Sequence, residues 1–277
     1  MILLEGKTIA QKILDELKQE VVSFGKHTQL AIVVVGKDNL VVNKFIEKKK
    51  QAAEYIGVNV RIYPFPEEIT TNELRKRLAE IVRQERNTAV VIQLPLPKHI
   101  NTQYILDAVI PEKDVDMLSS RSLGQLVVGK SVIIPPVVAS VIMLLEFYNI
   151  EYRNQHIVLG GWGRLVGRPL GIYLLNEGAT LNILQKDAKN PKEILQSGDI
   201  IISGIGKPKY ITGEMVKEGV IVIDAGTSES EGKIVGDVDF ESVAPKSSYI
   251  TPPQYGGVGP LTVAMLLKNL LILAKAQ

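Results

Sequence analysis

Hydrophobic positions along this chain alternate between two spacings. Ile9, Ile13, Leu17 and Val21 recur every four residues and predict a first helix, whereas Leu30 to Val35 is an apolar, mostly β-branched run ending at Gly36. A second helix is expected from about Val42 to Ile56, closed by Gly57, and Val58 to Tyr63 has strand character. Thr70 and Glu73 form a capping box ahead of a helix that carries Leu74, Leu78, Ile81 and Val82. Ala89 to Leu94 is the next strand, and it runs into Pro95-Leu96-Pro97.

The second half repeats the alternation after a break. Pro111 to Ser131 is polar and turn-rich, and Pro135-Pro136 precedes an apolar helix from about Val138 to Tyr148. The pattern then predicts a strand at 156–159, a helix at 164–176, a strand at 180–184 and a short helix near 191–196. A strand at 199–203, a helix at 212–217 and a strand at 220–224 follow, and a last helix from Thr262 packs back on the first domain. Strands alternating with helices argue for parallel sheets covered by helices. The expected fold is therefore α/β: two domains with a cleft between them, the second a Rossmann-type dinucleotide-binding domain. The first spans 1–137 and is joined by the C-terminal helix 260–277; the second spans 138–259.

Composition narrows the function. A net charge of +2 gives no electrostatic case for a nucleic-acid partner. Without cysteine there are no disulfides or thiol nucleophiles, and three scattered histidines, His27, His99 and His156, leave no metal site to expect. No signal peptide is expected ahead of the first helix, and the apolar run Leu261 to Ala276 is broken by Lys268 and Asn269. The expectation is a soluble cytoplasmic protein with no membrane partner.

Five strand ends carry glycine or proline: Gly36-Lys37-Asp38, Gln93-Leu94-Pro95, Gly160 to Gly163, Gly204-Ile205-Gly206 and Asp224-Ala225-Gly226-Thr227. In parallel sheets ligands lie beyond such ends. At Ile157-Val158-Leu159-Gly160-Gly161-Trp162-Gly163-Arg164 a strand meets a glycine cluster and then a helix, which suits close approach to a pyrophosphate. Lys48, Lys49 and Lys50 sit consecutively on the second helix, about 100° apart, so at most one or two face a cleft. A lysine in a partly buried cleft can serve as acid or base near neutrality, and the Gln93 amide can hold such an amine. In Lys113-Asp114-Val115-Asp116 the two carboxylates share a face of an extended segment, where they suit either a metal or an amino-heterocycle, or are solvated loop acids. His156 is expected to be structural.

Taken in order, Gln93-Leu94-Pro95-Leu96-Pro97, Lys113-Asp114-Val115-Asp116, Val166-Gly167-Arg168-Pro169, Val222-Ile223-Asp224, Val235-Gly236-Asp237-Val238 and Gly256-Gly257-Val258-Gly259-Pro260 resemble the methylenetetrahydrofolate dehydrogenase/cyclohydrolase family. The resemblance runs from Gly6-Lys7 to the final helix. It implies a cytosolic homodimer that oxidises methylene-tetrahydrofolate with NADP, or alternatively NAD, and then hydrolyses the methenyl product to formyl-tetrahydrofolate. It also implies roles. Counting back from Gly57 places the family's Tyr-Val-x-x-Lys motif at Phe45-Ile46-Glu47-Lys48-Lys49, so Lys49 is the catalytic lysine; counting from the other side selects Lys44 and Lys48. Gln93 tunes that lysine, Asp116 binds the pterin amino groups, and Phe45, Pro253, Gly256 and Gly257 border the folate. Gly161, Trp162, Gly163, Lys186, Gly204, Gly206 and Thr227 surround the dinucleotide.

The chain departs from the family at several of these points. Phe45 stands for the motif tyrosine, Met117 for the glycine after the second aspartate, Pro135-Pro136-Val137-Val138 for a Pro-Cys-Thr-Pro segment, and Tyr255 for a proline. Gly161-Trp162-Gly163 replaces Gly-x-Ser, and Trp162 takes a place where many members have arginine. Lys186 or Arg164 suits the 2′-phosphate of NADP, whereas Asp187 suits the ribose of NAD. Two other readings remain: a folate- or nucleotide-binding homologue without one or both activities, or another two-domain dehydrogenase of shikimate or amino-acid type.

Overall fold

The computed structural model describes residues 1–36, 40–230, 233–253 and 256–277. Lys37, Asp38 and Tyr255, all singled out above, lie outside the described residues. In chain order the elements are β1 (Ile2–Leu3), α1 (Gly6–Phe24), β2 (Gln29–Val35), α2 (Leu40–Ile56), β3 (Asn59–Phe65), α3 (Thr71–Arg83), β4 (Ala89–Ile92), α4 (Thr102–Leu106), α5 (Ser120–Val127) and α6 (Pro136–Phe147). There follow β5 (His156–Gly160), α7 (Gly167–Asn176), β6 (Thr180–Leu184), α8 (Pro191–Ser197), β7 (Ile200–Ser203), β8 (Val220–Asp224), β9 (Ser228–Ser230), β10 (Lys233–Val235), α9 (Phe240–Val243), β11 (Ser247–Ile250) and α10 (Val258–Ala276).

The chain divides into two units. One comprises Gln11–Pro136 and Val263–Gln277 and carries a three-stranded parallel sheet in the order β3-β2-β4. Its middle strand β2 is buried along Gln29–Val33, as expected for a parallel strand covered on both faces. β3 is an edge strand, which is where Pro64 can pair without leaving a neighbour short of a donor. Leu74, Leu78, Ile81 and Val82 of α3 pack on Ala31, Val33, Val90 and Ile92 of the sheet. The Thr70 hydroxyl accepts from the Glu73 amide and starts α3 where the capping signal predicted.

The other unit comprises Met1–Ala10 and Val137–Thr262. Its six parallel strands run in the order β1-β11-β8-β7-β5-β6. From β5 the chain goes to β6 on one side and then returns to β7 on the other. The order therefore reverses between β5 and β7, the point where ligands of such sheets bind. The loops leaving those two strands are the ones bearing Gly160–Gly163 and Gly204–Gly206. Val158, Ile201, Val220 and Val222 are packed together in the core of this sheet.

Several expectations change. Residues 1–10 were assigned to the first domain, but β1 pairs with β11 and Leu4 is buried there, so they belong with the dinucleotide-type unit. The helix expected at 212–217 is a single 3-10 turn, Gly213–Met215, and that expected at 164–176 starts only at Gly167. The turn-rich segment 111–131 contains a 3-10 turn, Pro111–Lys113, and α5. The last helix begins at Val258 rather than Thr262. By length and composition α10 could cross a membrane, although its sequence looked interrupted; 67% of that apolar window is buried within the protein, with Leu266, Leu267, Leu270 and Leu271 all enclosed.

Candidate active site

Consecutive lysines on a helix must diverge, and the structure separates these three. Lys48 is exposed and Lys44 is exposed, while Lys49 is half-buried, and its Nζ donates to Oε1 of Gln93 at 3.1 Å. Lys50 faces Glu54 along the helix at 4.0 Å. Gln93 follows β4 directly: its amide nitrogen donates to the carbonyl of Val33, and its Nε2 donates to the carbonyl of Leu94 at 3.0 Å. Anchoring the amide –NH2 in this way turns the oxygen towards the lysine. The Leu94–Pro95 peptide that follows is cis.

Asp114 and Asp116 do not act as a pair. Asp114 is buried, and its carboxylate accepts from the amides of Leu118 (3.2 Å) and Ser119 (2.8 Å) and from the Ser122 hydroxyl (2.7 Å). It is spent on starting α5, so the expectation that both carboxylates present one ligand-binding face is corrected. Asp116 is half-buried and keeps a partial opening to solvent. Burial pushes its carboxyl above the usual range; the Lys49 charge draws it down and Asp114 pushes it further up. Lys49, Gln93 and Asp116 thus occupy one neighbourhood of this unit. Among the described residues no cluster of three metal-ligating side chains occurs.

Two residues without an assigned role in the sequence support this region. Asn269 of α10, noted only as a break in an apolar run, is buried and its Nδ2 donates to the carbonyls of Val115 (3.1 Å) and Ile134 (2.8 Å). It therefore grips the peptide that leads into Asp116. Lys113 is bound through Nζ to the carbonyls of Val82 (2.8 Å) and Gln84 (3.0 Å), closing the C-terminal end of α3. A buried polar residue in an otherwise apolar helix was the available signal for Asn269. Met117 has φ of +57°, a left-handed conformation that glycine adopts without strain. That explains why glycine suits the position after the aspartate, and here a buried methionine side chain occupies it instead.

In the other unit the glycine loop after β5 is tightly determined. Gly161 has φ of +85°, and a Cβ there would lie 2.9 Å from the Gly204 carbonyl oxygen. Gly167, at the start of α7, lies against the Gly161 carbonyl with no room for a side chain. A Cβ on Gly204 would press on Val166 at 2.6 Å, whereas Gly206 is in open space with φ of +75°. Gly163 is exposed and a Cβ there would meet nothing closer than 3.9 Å, so this side of the backbone is open to approach. α7 begins without a side-chain cap, so its first amides are not met by a capping side chain. These features fit a dinucleotide pyrophosphate. Trp162 folds its ring over Gly171 of α7. Lys186 and Asp187 are exposed just beyond β6, and Thr227 is exposed beyond β8. His156 donates its amide to Asp199 at 2.9 Å at the start of β5.

Of the residues expected beside the folate, Phe45 is half-buried on α2 and Pro253 is exposed. Gly256 offers its carbonyl to the amide of Gly6 at 2.9 Å, and Gly257 is buried against Thr251. Both glycines are required by local packing whatever else they touch.

Residues 4–116 match the family described as tetrahydrofolate dehydrogenase/cyclohydrolase, catalytic domain, and residues 135–277 match its NAD(P)-binding domain. The bifunctional protein FolD of Nautilia profundicola is 41% identical over 279 residues, covering 99% of this chain and 98% of that protein. Among solved structures, the bifunctional FolD methylenetetrahydrofolate dehydrogenase/cyclohydrolase of Campylobacter jejuni is 40% identical, with a TM-score of 0.91 and coverage of 100% and 99%. The Trypanosoma brucei FolD, complexed with NADP cofactor and inhibitor, is 32% identical, with a TM-score of 0.94 and coverage of 100% and 98%.

Proposed function

The chain belongs to the tetrahydrofolate dehydrogenase/cyclohydrolase family, and from that premise we propose that Lys49, Gln93 and Asp116 carry its one-carbon chemistry. The protein is a bifunctional enzyme. It oxidises methylene-tetrahydrofolate to methenyl-tetrahydrofolate with NADP and hydrolyses the methenyl compound to formyl-tetrahydrofolate.

The observation that carries the assignment is the Lys49–Gln93 hydrogen bond beside Asp116. The Asp116 carboxylate accepts from the amino group and ring N–H of the pterin, with Phe45 of the same unit bordering the substrate. Oxidation needs no proton donor, since the methylene carbon loses a hydride and becomes the methenyl cation. When bound, NADP supplies the hydride acceptor. The glycines 161, 163, 204 and 206, with Trp162, Lys186 and Thr227, hold it. In the hydrolytic step water adds to the cationic carbon. Lys49 in its neutral form takes a proton from that water as the C–O bond forms; the resulting ammonium returns it to the ring nitrogen as the C–N bond breaks, and the remaining hydroxyl proton passes to solvent as the formyl C=O forms. Gln93 keeps the amine aimed through both transfers.

Replacing Lys49 with alanine tests this. Methenyl-tetrahydrofolate hydrolysis is expected to fall by about 100-fold or more, with the unfolding midpoint unchanged. An undiminished rate would remove Lys49 from its role. We further propose a cytoplasmic homodimer; the open edge of β6 and the exposed Leu175 on the neighbouring α7 support self-association. Light scattering on the purified protein decides it, and a monomer at micromolar concentration would rule the dimer out.

A further inference from the structure

Two aspartates in the dinucleotide-binding unit, one buried and one half-buried, have no part in the chemistry above. Asp237 is fully buried. Its Oδ2 accepts from the Ser203 hydroxyl and from the amide of Ile205, both at 2.7 Å, and its Oδ1 accepts from the amide of Lys207 at 2.9 Å. Asp224 ends β8 and is paired in register with Ser203, the last residue of β7. Its Oδ1 accepts from the Gly226 amide at 2.9 Å, and its Oδ2 accepts from the Val238 amide at 3.0 Å. Its own amide donates to the Thr251 hydroxyl at 2.9 Å.

The two carboxylates interlock. A Cβ on Gly226 would overlap the Asp237 carboxylate, and one on Gly236 would overlap that of Asp224. Each acid therefore fills the room left by the glycine beside the other. Together they tie down three segments: 204–207, 225–227 and 236–238. The first two are the loops that carry Gly204, Gly206 and Thr227. A loop with two glycines has much conformational freedom to lose when a ligand orders it. Three charge-assisted hydrogen bonds remove that freedom beforehand, and a binding surface already in place costs less to occupy.

We propose that Asp237 is a positioning residue for the dinucleotide: through Ser203 and the amides of Ile205 and Lys207, with Asp224 holding Gly226, it presets the two loops and so sets NADP affinity without touching the ligand. This rests on the reading of the unit as the NADP site.

The test uses the full chain, with its single tryptophan, Trp162, in the loop after β5, as the fluorescence probe for added NADP. In Asp237→Asn one oxygen becomes a donor that faces donors. The Kd and KM for NADP are expected to rise by about 10- to 100-fold, in keeping with the loss of a buried charge-assisted contact. Because the loops still close over saturating cofactor, kcat of the dehydrogenase changes little. Methenyl hydrolysis, which uses no dinucleotide, stays near the wild-type rate. Ser203→Ala removes one bond alone and is expected to raise the NADP Kd by about 3- to 10-fold; it decides the matter if Asp237→Asn fails to fold. An unchanged Kd in folded Ser203→Ala, or equal losses in both activities, overturns the proposal. A wild-type protein that binds no NADP would overturn the underlying reading instead.

Discussion

Residue by residue, the same side-chain type does different work according to its surroundings. Asp224 is pushed up to about 6, chiefly by burial and also by the facing Asp237 charge, although the Val238 and Gly226 amides pull the other way. In the unfolded chain its carboxyl titrates near 3.8. Between these values the folded protein holds the extra proton, so this group's contribution to stability is complete below pH 4 and is lost as pH rises through about 6. The loss is on the order of 2–3 kcal/mol. Asp107 and Asp199 are held below their usual range, so their contributions have the opposite slope and fade in stronger acid. Urea midpoints measured from pH 4 to 7 should therefore fall more steeply in the wild type than in Asp224→Asn; parallel curves would refute the assignment. Met117→Gly is a contest between two terms. It relieves a left-handed backbone by about 1 kcal/mol but deletes a buried side chain worth about 2–5 kcal/mol. A net destabilisation of about 1–4 kcal/mol is expected from the same denaturation experiment.

At the scale of elements, the Lys113-Asp114-Val115-Asp116 segment shows why a motif is not a site. Lys113 closes α3, Asp114 braces the turn ahead of α5, Val115 is buried in the core, and Asp116 alone is left beside Lys49. Asp114→Asn keeps the shape and loses one of the acceptor oxygens shared by Leu118, Ser119 and Ser122. A stability loss of about 1–3 kcal/mol is expected, measured by thermal or chemical unfolding. If it instead abolished folate binding with stability intact, the bracing role would be wrong. The alternation of β2, α2, β3, α3 and β4 was legible because strand and helix periods depend only on near neighbours. α4 and α5 escaped notice because each is short and held by side-chain caps, Asn101 and Ser119, inside a polar stretch.

For the whole molecule, long-range contacts matter most at the two ends of the chain. Asn269 in α10 satisfies the carbonyls of Val115 and Ile134, more than 130 residues earlier. Asn269→Leu would leave both carbonyls without that donor inside the protein, at a cost of about 2–4 kcal/mol. It should also raise the KM for the folate substrate more than that for NADP, because the peptide before Asp116 loses its anchor. Equal effects on both KM values would count against that link.

What the sequence determined by itself was the alternating α/β order, the glycine loop after β5, and a lysine, a glutamine and an aspartate in family order. Each follows from spacing along the chain or from residue type. Only the tertiary structure decided that Lys49 rather than Lys48 meets Gln93, that Asp114 braces the turn ahead of α5, that residues 1–10 complete the second sheet, and that Asp237 braces the loop after β7. Those outcomes depend on hydrogen bonds between residues from 4 to more than 240 positions apart. Local periodicity carries no information about such pairings, because chain folding alone brings most of these partners within reach.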